Sequence, residues 1–165
     1  MCIRDSYYLL TASVYESTYE GSNGRTFNTA FNGNYTCNFL TGKEWRLKRN
    51  TEKGKQSSFN LDLRLTWNGG QRYVPIDLEA SRLADEAVFD FERSFAERYP
   101  DYFRLDVKAG FKRNGKKATH TIALDLQNVT NRQNVFTREF NAALGQLVDT
   151  YQLGFLPVLQ YRVLF

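Results

Sequence analysis

With 165 residues and a formal net charge of +4, the chain is 42% hydrophobic and 15% aromatic. It holds no run near the roughly 18 to 20 apolar residues that a membrane-spanning helix needs, which excludes a helical membrane protein. The positive balance does not describe a nucleic-acid surface, which needs basic residues gathered on one face, and Cys2 and Cys37 have neither metal-ligand nor redox spacing.

The length fits a single structural unit, and 13 Phe and 10 Tyr against 3 Pro favour long uninterrupted strands. Residues 1–6 (MCIRDS) resemble translated sequencing-adapter read-through and are assigned no structural meaning, leaving residues 7–165 as the unit. No charged segment followed by an apolar one opens the chain, as expected of a piece whose N-terminal part is missing.

Residues 7–17 read as a loose strand with Tyr8, Leu10, Ala12 and Val14 on one side. Phe31, Gly33, Tyr35, Cys37 and Phe39 then alternate with Asn32, Asn34, Thr36 and Asn38. From Phe59 the alternation is strict: Phe59, Leu61, Leu63, Leu65 and Trp67 oppose Asn60, Asp62, Arg64 and Thr66. A period of two makes a strand with two unlike faces. The pattern recurs with Phe103, Leu105, Val107, Ala109 and Phe111, followed by the turn residues Asn114 and Gly115. Ile122, Leu124 and Leu126 complete a hairpin, and Leu159, Tyr161, Val163 and Phe165 form the last apolar stripe.

Most of these six segments are longer than the five or so residues usual in globular proteins. Ten residues at roughly 3.3 Å each, tilted by about 45°, cover on the order of 24 Å, the height of an outer-membrane apolar band. The connections at residues 69–100 and 131–155 are long, and those at 41–56 and 114–118 are shorter. Short turns face the periplasm and long loops face outward in such barrels, which predicts the side of each. Residues 75–101 hold eight acidic residues and three arginines, a net charge of −5, whereas residues 43–55 carry six basic and two acidic, net +4. Ile76, Leu83, Val88 and Phe91 allow a short helix in the acidic loop, the plainer expectation being a solvated loop.

In lipid every backbone polar group must be satisfied internally, so β-structure spans only as a closed barrel. Six strands do not close around a wet lumen. Asn32, Asn34, Asp62, Arg64, Arg104, Asp106, Lys108 and Asp125 nonetheless suit a hydrated interior. The expected fold is therefore all-β, an antiparallel up-and-down transmembrane β-barrel fragment of about six strands. Tyr8, Tyr15, Phe31, Phe39, Phe59, Trp67, Phe103 and Phe111 near the strand ends fit interfacial girdles.

Residues 102–107 (YFRLDV), 123–131 (ALDLQNVTN) and 151–165 (YQLGFLPVLQYRVLF) resemble the closing strands of TonB-dependent outer-membrane receptors, most closely the Bacteroidetes type. Residues 28–35 (NTAFNGNY) and 73–82 (YVPIDLEASR) resemble the same family. The resemblance implies the C-terminal part of a barrel of about 22 strands around a plug. Such a receptor sits in the bacterial cell outer membrane and imports a scarce ligand of the siderophore, cobalamin or glycan class. It implies as partners outer-membrane lipid, the barrel assembly machinery and TonB, the last through an N-terminal part that this chain lacks. Leu159, Tyr161, Val163 and Phe165 resemble the C-terminal signal read by the assembly machinery.

Loops carry function more often than scaffold strands, and Arg72, Tyr73, Glu79 and Arg82 are the candidate ligand-binding residues. No catalytic role is assigned: His120 is the single histidine, and there is no nucleophile elbow, phosphate loop or paired metal-ligand motif. No cofactor, metal or nucleic-acid partner is expected. Asp62 with Arg64, and Arg104 with Asp106, resemble acid-base groups, but opposite charges spaced along strands on a wet face read as members of cross-strand pairs. The sequons at Asn34 and Asn128 are discounted. The competing expectations are another outer-membrane barrel, a porin or adhesin, and a soluble β-sheet binding module that stays monomeric in water.

Overall fold

The computed structural model describes residues 5–47 and 56–165. The strands are β1 (Ser6–Val14), β2 (Thr18–Glu20), β3 (Thr26–Asn28), β4 (Tyr35–Arg46), β5 (Gln56–Asn68), β6 (Arg72–Tyr73), β7 (Glu97–Arg98), β8 (Tyr102–Asn114), β9 (Thr119–Gln127), β10 (Val135–Asn141), β11 (Gln146–Tyr151) and β12 (Leu156–Leu164). A short helix, α1 (Leu78–Ala84), and a single 3-10 turn at Phe91–Arg93 lie between β6 and β7. The chain is all-β in character, and every strand pairing is antiparallel.

Six long strands form one sheet in the order β1-β4-β5-β8-β9-β12. The order follows the chain once the short strands are set aside, so the sheet is an up-and-down meander. Among the described residues no pairing joins β1 to β12, so the sheet is open, with an edge at each. The connections at residues 15–34, 69–101 and 128–155 gather at one end, the loop end. Residues 115–118 make the tight connection at the other, the turn end, where the N–H of Gly115 donates to the carbonyl of Ala118 at 2.8 Å.

Register assigns the two faces, because directly paired residues project to the same side. Leu10 pairs with Phe39, Phe39 with Leu65, and Leu65 with Leu105. Ala109 pairs with Leu124, which pairs with Leu159. The expected stripes of all six strands thus merge into one apolar face. It is uncovered: Tyr8, Leu10, Val14, Trp45, Phe59, Leu61, Trp67, Phe111, Ile122, Leu124, Leu159 and Tyr161 are all exposed. Polar groups take the opposite distribution. Ala123 is the one buried hydrophobic residue among those described, whereas Asn32, Ser58, Ser81, Asp106, Asn128 and Asn134 are buried.

The polar face is knitted by charge. Arg64 Nε donates to Asp106 at 3.0 Å across β5 and β8, and Arg104 Nε donates to the other carboxylate oxygen at 2.7 Å. The backbone N–H of Asn128 adds a third donor at 2.8 Å. Arg64 with Asp106 is a cross-strand pair as expected, Arg104 reaches Asp106 along its own strand, and Asp62 accepts from the Tyr7 hydroxyl at 3.0 Å and the Asn60 amide at 2.6 Å. Tyr7 lies flat across its cross-strand partner Gly42, where a side chain would collide with the ring.

Several expected boundaries move. The second strand was placed on residues 31–39, but Phe31 and Gly33 stand outside it and β4 runs on to Arg46. Asn34 adopts a left-handed backbone (φ 71°) that breaks the extended run before Tyr35. At the far end Thr41 and Lys43 occupy apolar-face positions, which hid the continuation from a periodicity search. Asn32 and Asn34 consequently belong to the loop end, not to the polar face of the sheet. Phe39 sits mid-strand and Tyr15 and Phe31 lie outside the strands, so none of the three joins a girdle of the sheet. Residues 48–55 of the expected basic turn, and residues 1–4 of the leader, lie outside the described residues. Ser6 pairs with Lys43, and the Asp5 carbonyl accepts from the Glu44 N–H at 2.6 Å.

The loop at residues 69–101 contains α1, capped by Asp77, whose side chain accepts from the Ala80 N–H at 3.0 Å. Residues 131–155 were expected to be a plain loop and instead contain the β10–β11 hairpin. At the C-terminus, Leu159, Tyr161 and Val163 share the apolar face of β12, and Phe165 lies one residue past its end, fully exposed.

Candidate ligand-binding site

The loop end carries its own short strands, which pair as β2–β3, β6–β7 and β10–β11 and not with the six-stranded sheet. The β6–β7 pair sets Tyr73 opposite Glu97, and the β10–β11 hairpin stands beside it. A cleft of about 810 Å³ opens between them, bounded by Tyr73, Phe89, Phe95 and Tyr99 on one side and Phe136 and Phe140 on the other.

The cleft is held by Arg138. Its guanidinium grips Asp149 on the neighbouring strand through two hydrogen bonds of 2.6 and 2.9 Å. A third N–H donates to the Tyr73 hydroxyl at 2.8 Å, and that hydroxyl donates to Glu97 at 2.7 Å. The guanidinium carbon also lies 5.6 Å from the Tyr73 ring centroid. Tyr73 stacks on Tyr99 with centroids 4.3 Å apart and planes 21° apart, and the Tyr99 oxygen accepts from the Arg138 backbone N–H at 3.1 Å.

These contacts set the local electrostatics. Burial pushes the Tyr73 phenol up to about 12, helped by its hydrogen bond to Glu97. The hydrogen bonds from Arg138 hold Asp149 below the usual carboxylate range, and Asp149 in turn raises Arg138. Nearby, the Tyr35 hydroxyl donates to Asp101 at 2.6 Å and lowers its carboxyl pKa. Gly70 N–H and Arg98 support the same carboxylate at 3.2 and 3.9 Å.

Of the four candidate residues, Arg72 and Tyr73 line this cleft. Arg72 is spent on structure, its Nε donating to the Asn32 carbonyl at 3.0 Å and another N–H to the Ala96 carbonyl at 3.3 Å. Glu79 and Arg82 lie on α1 away from the lining and pair with each other at 3.0 Å. Arg82 also donates to the Gly145 carbonyl at 2.7 Å, tying α1 to the hairpin turn.

The sequence search missed Phe136, Arg138 and Phe140 because it treated their segment as a loop. Their alternation, with Gly145 at positive φ (58°) in the turn, was the available signal. A register shift between Val135 and Thr137 singles out Phe136, which is exposed and lines the cleft. The cleft offers aromatic faces with two arginines, Arg72 and Arg138, and the carboxylate-bearing Glu139 in its lining, a composition that binds planar or weakly polar ligands by stacking. The sequon asparagine Asn128 is buried and uses its amide on the Arg132 carbonyl at 2.9 Å.

Comparison with protein-family models, with curated proteins and with solved structures gives no match.

Proposed function

We propose that this chain is the C-terminal, lipid-facing sheet of a TonB-dependent receptor that imports a scarce ligand across a bacterial outer membrane. The observation that carries the reading is the inverted sheet, with a continuous uncovered apolar face and a hydrogen-bonded polar one. Each large apolar side chain gains about 1.5–3 kcal/mol on full burial. Half-exposed on average, the twelve on this face forgo on the order of 10 kcal/mol in water, comparable to the whole stability of a typical domain. A lipid environment removes that deficit, and a soluble monomer does not.

Two aromatic rows support the same reading. Trp45, Phe59 and Phe111 are in direct register at the turn end, and Trp67 and Phe103 at the loop end, where Tyr35 meets Trp67 edge-on at 5.5 Å. Eight residues separate the rows on β5, about 27 Å along the strand and roughly 20 Å along the normal at an outer-membrane tilt. Lys43 falls just inside the lower row and lays its ammonium over Trp45 at 5.5 Å from the ring centroid, as a snorkelling lysine does.

The open edges of β1 and β12 require further strands, and the family resemblance supplies their source, together with a plug and a TonB contact outside this chain. The aromatic cleft is then an outward-facing ligand contact. Sequencing the coding region upstream of Ser6 tests the proposal. A plug and further amphipathic strands are expected, and a region encoding neither contradicts it.

A further inference from the structure

A second cavity, of about 600 Å³, lies at the turn end and opens on the apolar face. Phe111, Ile122 and Tyr161 make its wall, in direct register across β8, β9 and β12. One cross-strand row further out, Arg113 faces His120, and Lys117 from the tight turn completes the rim. His120 Nδ1 and the Tyr161 hydroxyl are 2.8 Å apart with their rings stacked, which fixes the far side of the cavity.

The order of these groups decides what fits. Apolar side chains end at the Phe111 row, and cationic ones begin two residues later, about 7 Å along the strand. Among the described residues neither Arg113 nor Lys117 forms an ion pair. Among the described residues the turn is thus a basic rim without a countercharge on an apolar groove, the order in which a bilayer presents phosphate and acyl chain.

We infer that this pocket binds one anionic phospholipid, its phosphate on Arg113 and Lys117 and its first acyl segment against Phe111, Ile122 and Tyr161. The inference rests on the membrane reading above and adds to it a specific lipid on the inner leaflet side. Basic residues at a membrane surface attract anionic lipid by roughly fivefold per charge.

The test is insertion of the whole barrel, this chain together with the upstream strands that its open edges call for, into vesicles of phosphatidylcholine with and without phosphatidylglycerol, followed by native mass spectrometry of the detergent-released protein. One retained phosphatidylglycerol per chain is expected, in clear preference to phosphatidylcholine. The R113Q/K117Q variant should lose the preference, and K108Q, on the opposite face of β8, should keep it. Equal retention of both lipids by an inserted chain overturns the lipid site and leaves the membrane reading intact. Preference surviving in R113Q/K117Q overturns the assignment to this pocket. A whole barrel that enters neither kind of vesicle overturns both.

Discussion

Arg138 and Asp149, on the two arms of one hairpin, are joined by hydrogen bonds of 2.6 and 2.9 Å, and the same guanidinium reaches Tyr73 at 2.8 Å. The ion pair therefore fastens the hairpin to the long acidic loop across the cleft. Arg138→Ala should release that fastening at a local cost of about 2–3 kcal/mol, the range for hydrogen bonds to a charged group. Hydrogen exchange should rise in residues 71–74 and 97–99 and stay unchanged in β5 and β8. Uniform loosening of all strands would mean that Arg138 supports the sheet and not the loop end.

The same cluster gives a pH dependence with a defined sign. Asp149 is depressed by Arg138, so its contribution is complete above the ordinary aspartate value of about 4 and is lost as pH falls through its lower folded value. Tyr73 is raised to about 12, so its contribution is complete below about 10 and is lost as pH climbs through 12. Ultraviolet titration of the wild type against Tyr73→Phe should remove one phenol with a midpoint near 12. A difference spectrum centred on 10 would contradict the buried, hydrogen-bonded placement.

Gly42 leaves room for the Tyr7 ring and the Asp62 carboxylate on the polar face. Gly42→Ala forces that contact apart and should destabilise the folded sheet by about 1–3 kcal/mol, the usual cost of overpacking. Tyr7→Ala in the same chain should recover part of the loss, since the ring supplies two of the three nearest atoms, the other being an Asp62 carboxylate oxygen. Chemical denaturation in detergent measures both, and simple addition of the two losses would refute the packing argument.

The two faces should respond oppositely to charge. Leu63→Lys places an ammonium mid-band on the apolar face and should cost about 2–4 kcal/mol in a bilayer, whereas Thr66→Lys on the polar face should cost little. Refolding of the whole barrel into vesicles followed by urea unfolding separates them. Equal penalties would remove the distinction between a lipid face and a wet face.

Strict alternation made β5, β8 and β9 legible, because both of their faces have strong and opposite chemistry. The second strand was harder to place, since Thr41 and Lys43 carry polar atoms onto the apolar face and a left-handed Asn34 truncates the pattern at its start. The loop end was the least legible part. Tyr73 was singled out by position, but its partners Tyr99, Arg138 and Asp149 lie 26, 65 and 76 residues away in the chain. Only tertiary pairing brings them together: β6 and β7, two residues each, are too brief to leave a periodic trace, and the alternation in β10 does not tell what it packs against. Arg72 shows the converse, a residue chosen as ligand-facing whose donors are occupied by backbone carbonyls, Asn32 in the 15–34 connection and Ala96 in its own loop.

The most direct test of a lipid-facing sheet uses the two tryptophans of the chain, Trp45 and Trp67, which stand on the apolar face near its opposite ends. Within the whole barrel that the open edges of β1 and β12 call for, single-tryptophan variants would be folded into vesicles whose acyl chains are brominated at graded depths. Trp45 and Trp67 should be quenched best by shallow bromines, and a tryptophan placed at Leu63 in a chain lacking both should be quenched best by bromines near the bilayer centre. A chain that stays monomeric in water, with all three positions quenched by aqueous iodide and none by brominated lipid, would contradict the account.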